Sequence, residues 1–121
     1  MAKLSVNDGL LHVELSAMER FRSGHDSFSV ELWRVRFIVT DDGSRRDKLG
    51  NQTAGRNRHC GSFAKRGETA FVHWPKAGEA VIVQLTDPAW GEIIIGDKNA
   101  KEVASALRLE VVRGKQAAGL Q

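Results

Sequence analysis

The chain has 121 residues, is 41% hydrophobic and 27% charged, contains 12 glycines and one cysteine, and carries a formal charge of +3. That length is one ordinary domain, able to bury roughly two-thirds of its unfolded surface, and the composition excludes a disordered chain. No apolar run reaches the ~20 residues of a membrane helix, and the lone Cys60 excludes an internal disulfide framework.

In chain order, Leu4 and Val6, the turn Asn7-Asp8-Gly9, and Leu11, Val13 and Leu15 alternating with His12 and Glu14 predict an opening β-hairpin. Ser16 followed by Glu19 reads as a capping box, and Met18 and Phe21, three apart, predict a short helix to Arg22 that Gly24 ends. Phe28, Val30 and Leu32, then Val35, Phe37 and Val39, alternate with polar neighbours as two strands, stopped by Asp41-Asp42-Gly43. From Ser44 to Cys60 the apolar period vanishes, which predicts a long loop over 41–60, and loops of that length are functional or disordered. Strands resume over Gly61–Lys65 and, after the turn Arg66-Gly67, over Thr69–Trp74, with Ala70, Val72 and Trp74 on one face.

The last fifty residues read as one unit. Ala80–Leu85 and Glu92–Gly96 form a hairpin around Thr86-Asp87-Pro88-Ala89-Trp90-Gly91, since proline cannot join a ladder. Asn99 with Glu102 suggests a second capping box, and Val103, Ala106, Leu107, Glu110 and Val111 recur at helical spacing. The expected organisation is a single domain over residues 1–113 and a polar, frayed tail over 114–121. Many short strands and one terminal helix predict a mainly β fold, an antiparallel barrel or pair of packed sheets closed by that helix.

The order of elements resembles that of the bacterial pleckstrin-homology-like domains. The phrase Phe28–Phe37 resembles their strand, short step and strand, and the stretch from Gly61 through Leu85 to the helix start at Asp97 is similar to actinobacterial proteins of that type. The resemblance implies a pleckstrin-homology-like barrel of seven or eight antiparallel strands in two packed sheets, capped by one C-terminal α-helix, and binding through loops without catalysis. Phosphoinositide-binding members carry basic residues around the first hairpin; here that turn is the acidic Asn7-Asp8-Gly9, so this function does not carry over.

Charge is the best functional signal. Arg45, Arg46, Lys48, Arg56, Arg58, Lys65 and Arg66 stand against Asp47 alone, a local +6, while the remaining 11 basic and 14 acidic residues sum to −3. Guanidinium groups match carboxylate or phosphate in a bidentate way, so these seven residues are the expected site for an acidic protein or other anionic partner. The competing reading is a solvated loop. Nucleic acid is disfavoured because only Phe63 is near for stacking, whereas peripheral contact with an anionic membrane stays open. Trp33, out of phase with Leu32 and Val35, is a candidate partner anchor or self-association point, and Trp90 is expected to fold back onto the domain. The alternative is a small ligand-binding barrel or enzyme with a pocket where His59, Cys60 and His73 converge. One cysteine and no His-x-His or Cys-x-x-Cys spacing argue against a metal, and no cofactor is expected. The first residues lack a signal peptide's apolar core, which with the single cysteine predicts a cytoplasmic protein.

Overall fold

The computed structural model describes residues 2–87 and 89–119. The strands are β1 (Lys3–Asn7), β2 (Leu10–Glu14), β3 (Phe28–Glu31), β4 (Val35–Asp41), β5 (Asn51–Ala54), β6 (Cys60–Lys65), β7 (Glu68–His73), β8 (Ala80–Leu85) and β9 (Glu92–Gly96). Helix α1 (Ala17–Ser23) follows β2, one 3-10 turn (Leu32–Arg34) separates β3 from β4, and helix α2 (Ala100–Ala117) ends the fold. Pro88, on which the turn expectation partly rests, lies outside the described residues, as do Leu120 and Gln121.

The protein is mainly β, with two sheets and a C-terminal helix, but the sheets do not close into a barrel. One has three strands in the order β1-β2-β3; the other has six, in the order β4-β8-β9-β7-β6-β5. The departure begins at β9. It pairs with β8 across the expected hairpin, yet also inserts beside β7, and that second pairing is parallel: Ala70 faces Glu92 and His73 faces Ile95. A hairpin folded in between β8 and β7 makes a broad open sheet, with β4 and β5 left as its edges.

That insertion explains the residue pattern of the two central strands. Ile38, Val83, Ile93 and Phe71 form one cross-strand row, and the neighbouring row is Val39, Ile82, Ile94 and Val72. Adjacent rows point to opposite faces. The first packs with Leu11, Val13 and Val30 of the small sheet and with Ala104, Leu107 and Val111 of α2. Of the second, Val72, Ile82 and Ile94 form a separate core with Phe63, Trp74 and Ala80, while Val39 on the edge strand is exposed. Strands covered on both faces are apolar throughout rather than alternating, which is why β9 reads Ile93-Ile94-Ile95.

Local signals otherwise set the elements as expected. Asp8 and Gly9 both take positive φ, as a tight hairpin turn requires. The Ser16 hydroxyl accepts the Glu19 backbone N–H while Glu19 accepts that of Ser16 at 2.8 Å, and Gly24 closes α1 in the left-handed region. Trp90 does fold back, its ring centre lying 5.4, 5.6 and 5.7 Å from those of His25, Phe28 and Phe71.

Three expectations need correcting. The capping box at Asn99 does not form: Asn99 makes no side-chain cap, and its own N–H is taken by the Asp97 carboxylate at 2.8 Å. The helix does not end at Arg113 but runs through Gly114 to Ala117, because Gly114 lets it approach Leu32 and Val6 closely. The 41–60 segment is not one loop. It contains β5, whose Asn51, Gln52 and Thr53 are all exposed, so no apolar period marks it; Thr53 and Ser62 hydroxyls bond across to β6 at 2.8 Å.

Burial on both faces makes a direct prediction. Ile93→Ala and Ile94→Ala, neighbours in sequence, are each expected to lower unfolding free energy by about 2–5 kcal/mol in urea titrations. Phe37→Ala on the exposed face of edge strand β4 is expected to change it by less than about 1 kcal/mol.

Candidate functional site

The seven basic residues do not form one surface. The segment 42–50 crosses the second face of the large sheet as a strap, and its cations hold it there. The Asp41 carboxylate accepts the Gly43 and Arg45 N–H groups at 2.9 and 3.1 Å, starting the strap in a tight turn. Arg45 then makes a two-pronged contact with Glu92 of β9, at 2.8 and 3.2 Å, and that hydrogen bond holds its guanidinium more firmly protonated. Arg46 donates to the Trp74 and Pro75 carbonyls at 3.0 and 2.8 Å. Those carbonyls have left the ladder, and Arg46 supplies the donors they lack. Lys65 donates to the Lys48 carbonyl at 3.1 Å, and Asp47 meets His59 at 3.0 Å, a contact that holds the Asp47 carboxyl below the usual range. Arg45 and Arg46 are thus structural cations.

Below the strap, Arg45, Lys65 and Arg66 line a cleft of about 370 Å³ floored by Phe63, Ala70 and Ile94. Glu68 and Glu92 line it too, so its charge is mixed rather than basic.

Arg56 and Arg58 lie on the turn between β5 and β6, with Arg58 close enough to Asp47 of the strap to help hold that carboxyl ionised. Gln52 fastens that turn by donating its amide to the Asn57 and Cys60 carbonyls at 2.7 and 2.8 Å. The turn in turn docks on the end of α1. The backbone N–H of Arg56 donates to the Arg22 carbonyl at 2.8 Å, and the Arg56 side chain donates to the Phe21 carbonyl at 3.2 Å. Its guanidinium lies 4.6 Å from the centre of the Phe21 ring. Gly24 and Gly55 face each other at this junction, where a side chain on Gly24 would press on the Gly55 backbone.

Helix α1 is turned opposite to its apolar pattern. Met18 and Phe21 point outward, 58% and 60% exposed, while Glu19 and Ser23 are buried. Glu19 faces inward because its carboxylate completes the cap and lies 4.0 Å from His73 Nδ1 on β7. The junction of α1 with the β5–β6 turn therefore leaves Met18, Phe21 and Arg56 exposed, and Arg20 of the helix and Arg58 of the turn are exposed as well. The exposure of Met18 and Phe21 goes against the sequence reading, since i,i+3 apolar spacing signals a buried face. The one available clue was that the reciprocal cap commits Glu19 to a fixed position.

His59, Cys60 and His73 do not converge on a pocket. Cys60 and His73 face each other across β6 and β7, both buried, whereas His59 turns to Asp47. Burial pushes the Cys60 thiol up, opposite to what a nucleophile needs. Trp33 is half exposed as expected, but its indole donates to Glu31 at 2.9 Å and the Arg34 guanidinium sits 4.3 Å from its ring. Among the described residues no three His, Cys, Asp or Glu side chains group as metal ligands, and no helix is long and apolar enough to cross a membrane. Comparison with protein-family models, curated proteins and solved structures finds no match.

Two predictions follow from these contacts. Arg46→Ala strips the donors from two carbonyls and is expected to cost about 1–3 kcal/mol and to speed proteolytic cleavage within 43–50, while Lys48→Ala leaves both nearly unchanged. Acid should destabilise the protein through the buried pair. Burial lowers the His73 pKa below its usual 6.5, Glu19 opposing this and Arg22 assisting it. For Glu19 burial acts upward, but the Ser16 N–H and His73 leave the carboxyl below its usual 4.5. Both folded pKa values are depressed, so the unfolded chain binds more protons and stability present above pH 6.5 is lost as pH falls. Urea unfolding at stepped pH should show this decline, shallower between pH 7 and 5 in His73→Gln.

Proposed function

We propose that this protein is a binding module that acts without chemistry of its own, and that the junction of α1 with the β5–β6 turn recognises an anionic partner. The observation that carries the reading is Arg56, fixed by its backbone to Arg22 and by its side chain to Phe21 while it stays exposed; Arg20 of the same helix and Arg58 of the same turn are exposed too. Arginines held in place lose less conformational freedom on binding than free ones, and each guanidinium offers a planar fork for a carboxylate or phosphate. Of the seven basic residues of the 45–66 stretch, Arg45, Arg46 and Lys48 belong to the strap and Lys65 and Arg66 to the mixed cleft, which leaves Arg56 and Arg58 on the turn. The module is read as an opened relative of the pleckstrin-homology-like domains, a reading supported by the strand, 3-10 step and strand over Phe28–Asp41 and by the C-terminal helix lying against β1, β4 and β8.

Retention of the protein on immobilised poly-glutamate, measured at low and moderate salt, tests this. Arg20→Glu with Arg58→Glu is expected to weaken binding by about tenfold or more, equivalent to ~1.4 kcal/mol, and salt to weaken the wild type. Arg66→Glu, away from the junction, should leave it unchanged. Equal loss from all three substitutions would mean a diffuse charge effect and no site.

A further inference from the structure

We infer that the anionic partner is an acidic polypeptide segment that also carries large apolar side chains, with Phe21 and Met18 receiving the apolar groups and Arg20, Arg56 and Arg58 the carboxylates. This inference rests on the reading of the junction as the binding surface and adds to it the class of partner. A purely electrostatic site has no use for two large apolar side chains at its centre. Yet Met18 and Phe21, three apart on α1 and both more than half exposed, share its outer side, and Arg56 of the turn lies against Phe21. Aromatic, Met and Arg side chains are the types enriched in the cores of protein interfaces. Methionine adapts its shape to an apolar partner, and the phenylalanine gives a rigid anchor.

The rigidity has a visible cause. The Arg56 guanidinium lies over one face of the Phe21 ring, 4.6 Å from its centre, and is bonded to the Phe21 carbonyl. Ring and cation are one preassembled unit, so a partner meets an apolar edge and a guanidinium side by side. That arrangement fits a chain alternating carboxylate and apolar groups. It fits a nucleobase less well, because Arg56 already covers one of the two ring faces on which a base could stack. It fits a lipid surface less well, because insertion needs the apolar groups outermost and the charge behind them. Of the nearby acids, Asp47, which acts on Arg58, is engaged by His59, and Glu14 and Asp26 are the exposed carboxylates flanking α1 in sequence.

The test compares two 12-residue peptides by fluorescence anisotropy, one of glutamate alone and one repeating Glu-Glu-Phe, against the whole protein, Phe21→Ser and Met18→Ser. Anionic vesicles of phosphatidylglycerol and a single-stranded RNA of equal charge serve as competitors. The expected result is at least tenfold tighter binding of the phenylalanine-bearing peptide, with that excess lost in Phe21→Ser, reduced in Met18→Ser, and oligo-glutamate binding kept in both. Both side chains are exposed, so each variant should unfold at the wild-type midpoint, which circular dichroism checks. Equal binding of the two peptides by the wild type, or an excess that survives Phe21→Ser, overturns the inference and leaves the anionic-partner reading standing. Binding of neither peptide overturns both. Tighter, Phe21-dependent capture of vesicles or RNA overturns the inference in favour of that partner.

Discussion

A six-stranded sheet whose central strands are apolar on both faces cannot stand with one face wet. β8 and β9 impose that constraint: Val81, Val83, Ile93 and Ile95 point one way and Ile82 and Ile94 the other, and all are buried. The first face is covered by the two remaining layers, the small sheet and α2. The second has no element of regular structure left to cover it, so the chain uses the 42–50 strap, an irregular segment with few apolar side chains of its own. Such a cover adheres through hydrogen bonds and charge, and Arg45 and Arg46 provide them. Much of the basic character of the middle of the chain is thus a consequence of how the sheet is closed off. The positive charge that looks like a ligand site in one dimension is partly a set of fasteners in three.

The same logic separates the cations that bind the protein to itself from those that remain available. Arg45 is matched by Glu92 and Arg46 by two main-chain carbonyls that no strand partner serves. Arg56 is tethered too, but along the surface, so that its tether fixes its position without removing it from solvent. With its backbone docked and its side chain tethered, part of the entropy of ordering Arg56 has already been spent in folding. The buried Glu19–His73 contact belongs to the same corner of the molecule. It turns α1 so that Met18 and Phe21 face outward, and it couples the presentation of that surface to the stability of the fold near neutral pH.

The edges left by the open sheet are managed by side chains. Arg108 and Lys115 of α2 reach the Ile38 and Val35 carbonyls of β4 at 2.8 and 3.0 Å. Outward carbonyls of an edge strand are what an added strand would use, and cations laid across them blunt such pairing. Phe37 beside that edge stays exposed.

By itself the sequence determined the local elements: the first hairpin from Asn7-Asp8-Gly9, the α1 cap from Ser16 and Glu19, the β8–β9 pairing, the terminal helix, and the core position of Trp74. These follow from turn chemistry, reciprocal capping and apolar period, which act over a few residues. β5 was invisible because an edge strand held by hydroxyl and main-chain bonds carries no apolar period. The Asn99 cap was misjudged because Asp97, two residues earlier, competes for the same N–H. Only the tertiary structure decided the rest. Whether β9 lies outside β8 or between β8 and β7 depends on contacts twenty residues apart, and that choice separates an open sheet from a closed one. Which face α1 buries depended on His73, more than fifty residues away, and with it the appearance of Phe21 beneath Arg56. Seven basic residues in one stretch were legible as a charge; their division into fasteners, a mixed cleft and one prepared surface required knowing what each guanidinium touches.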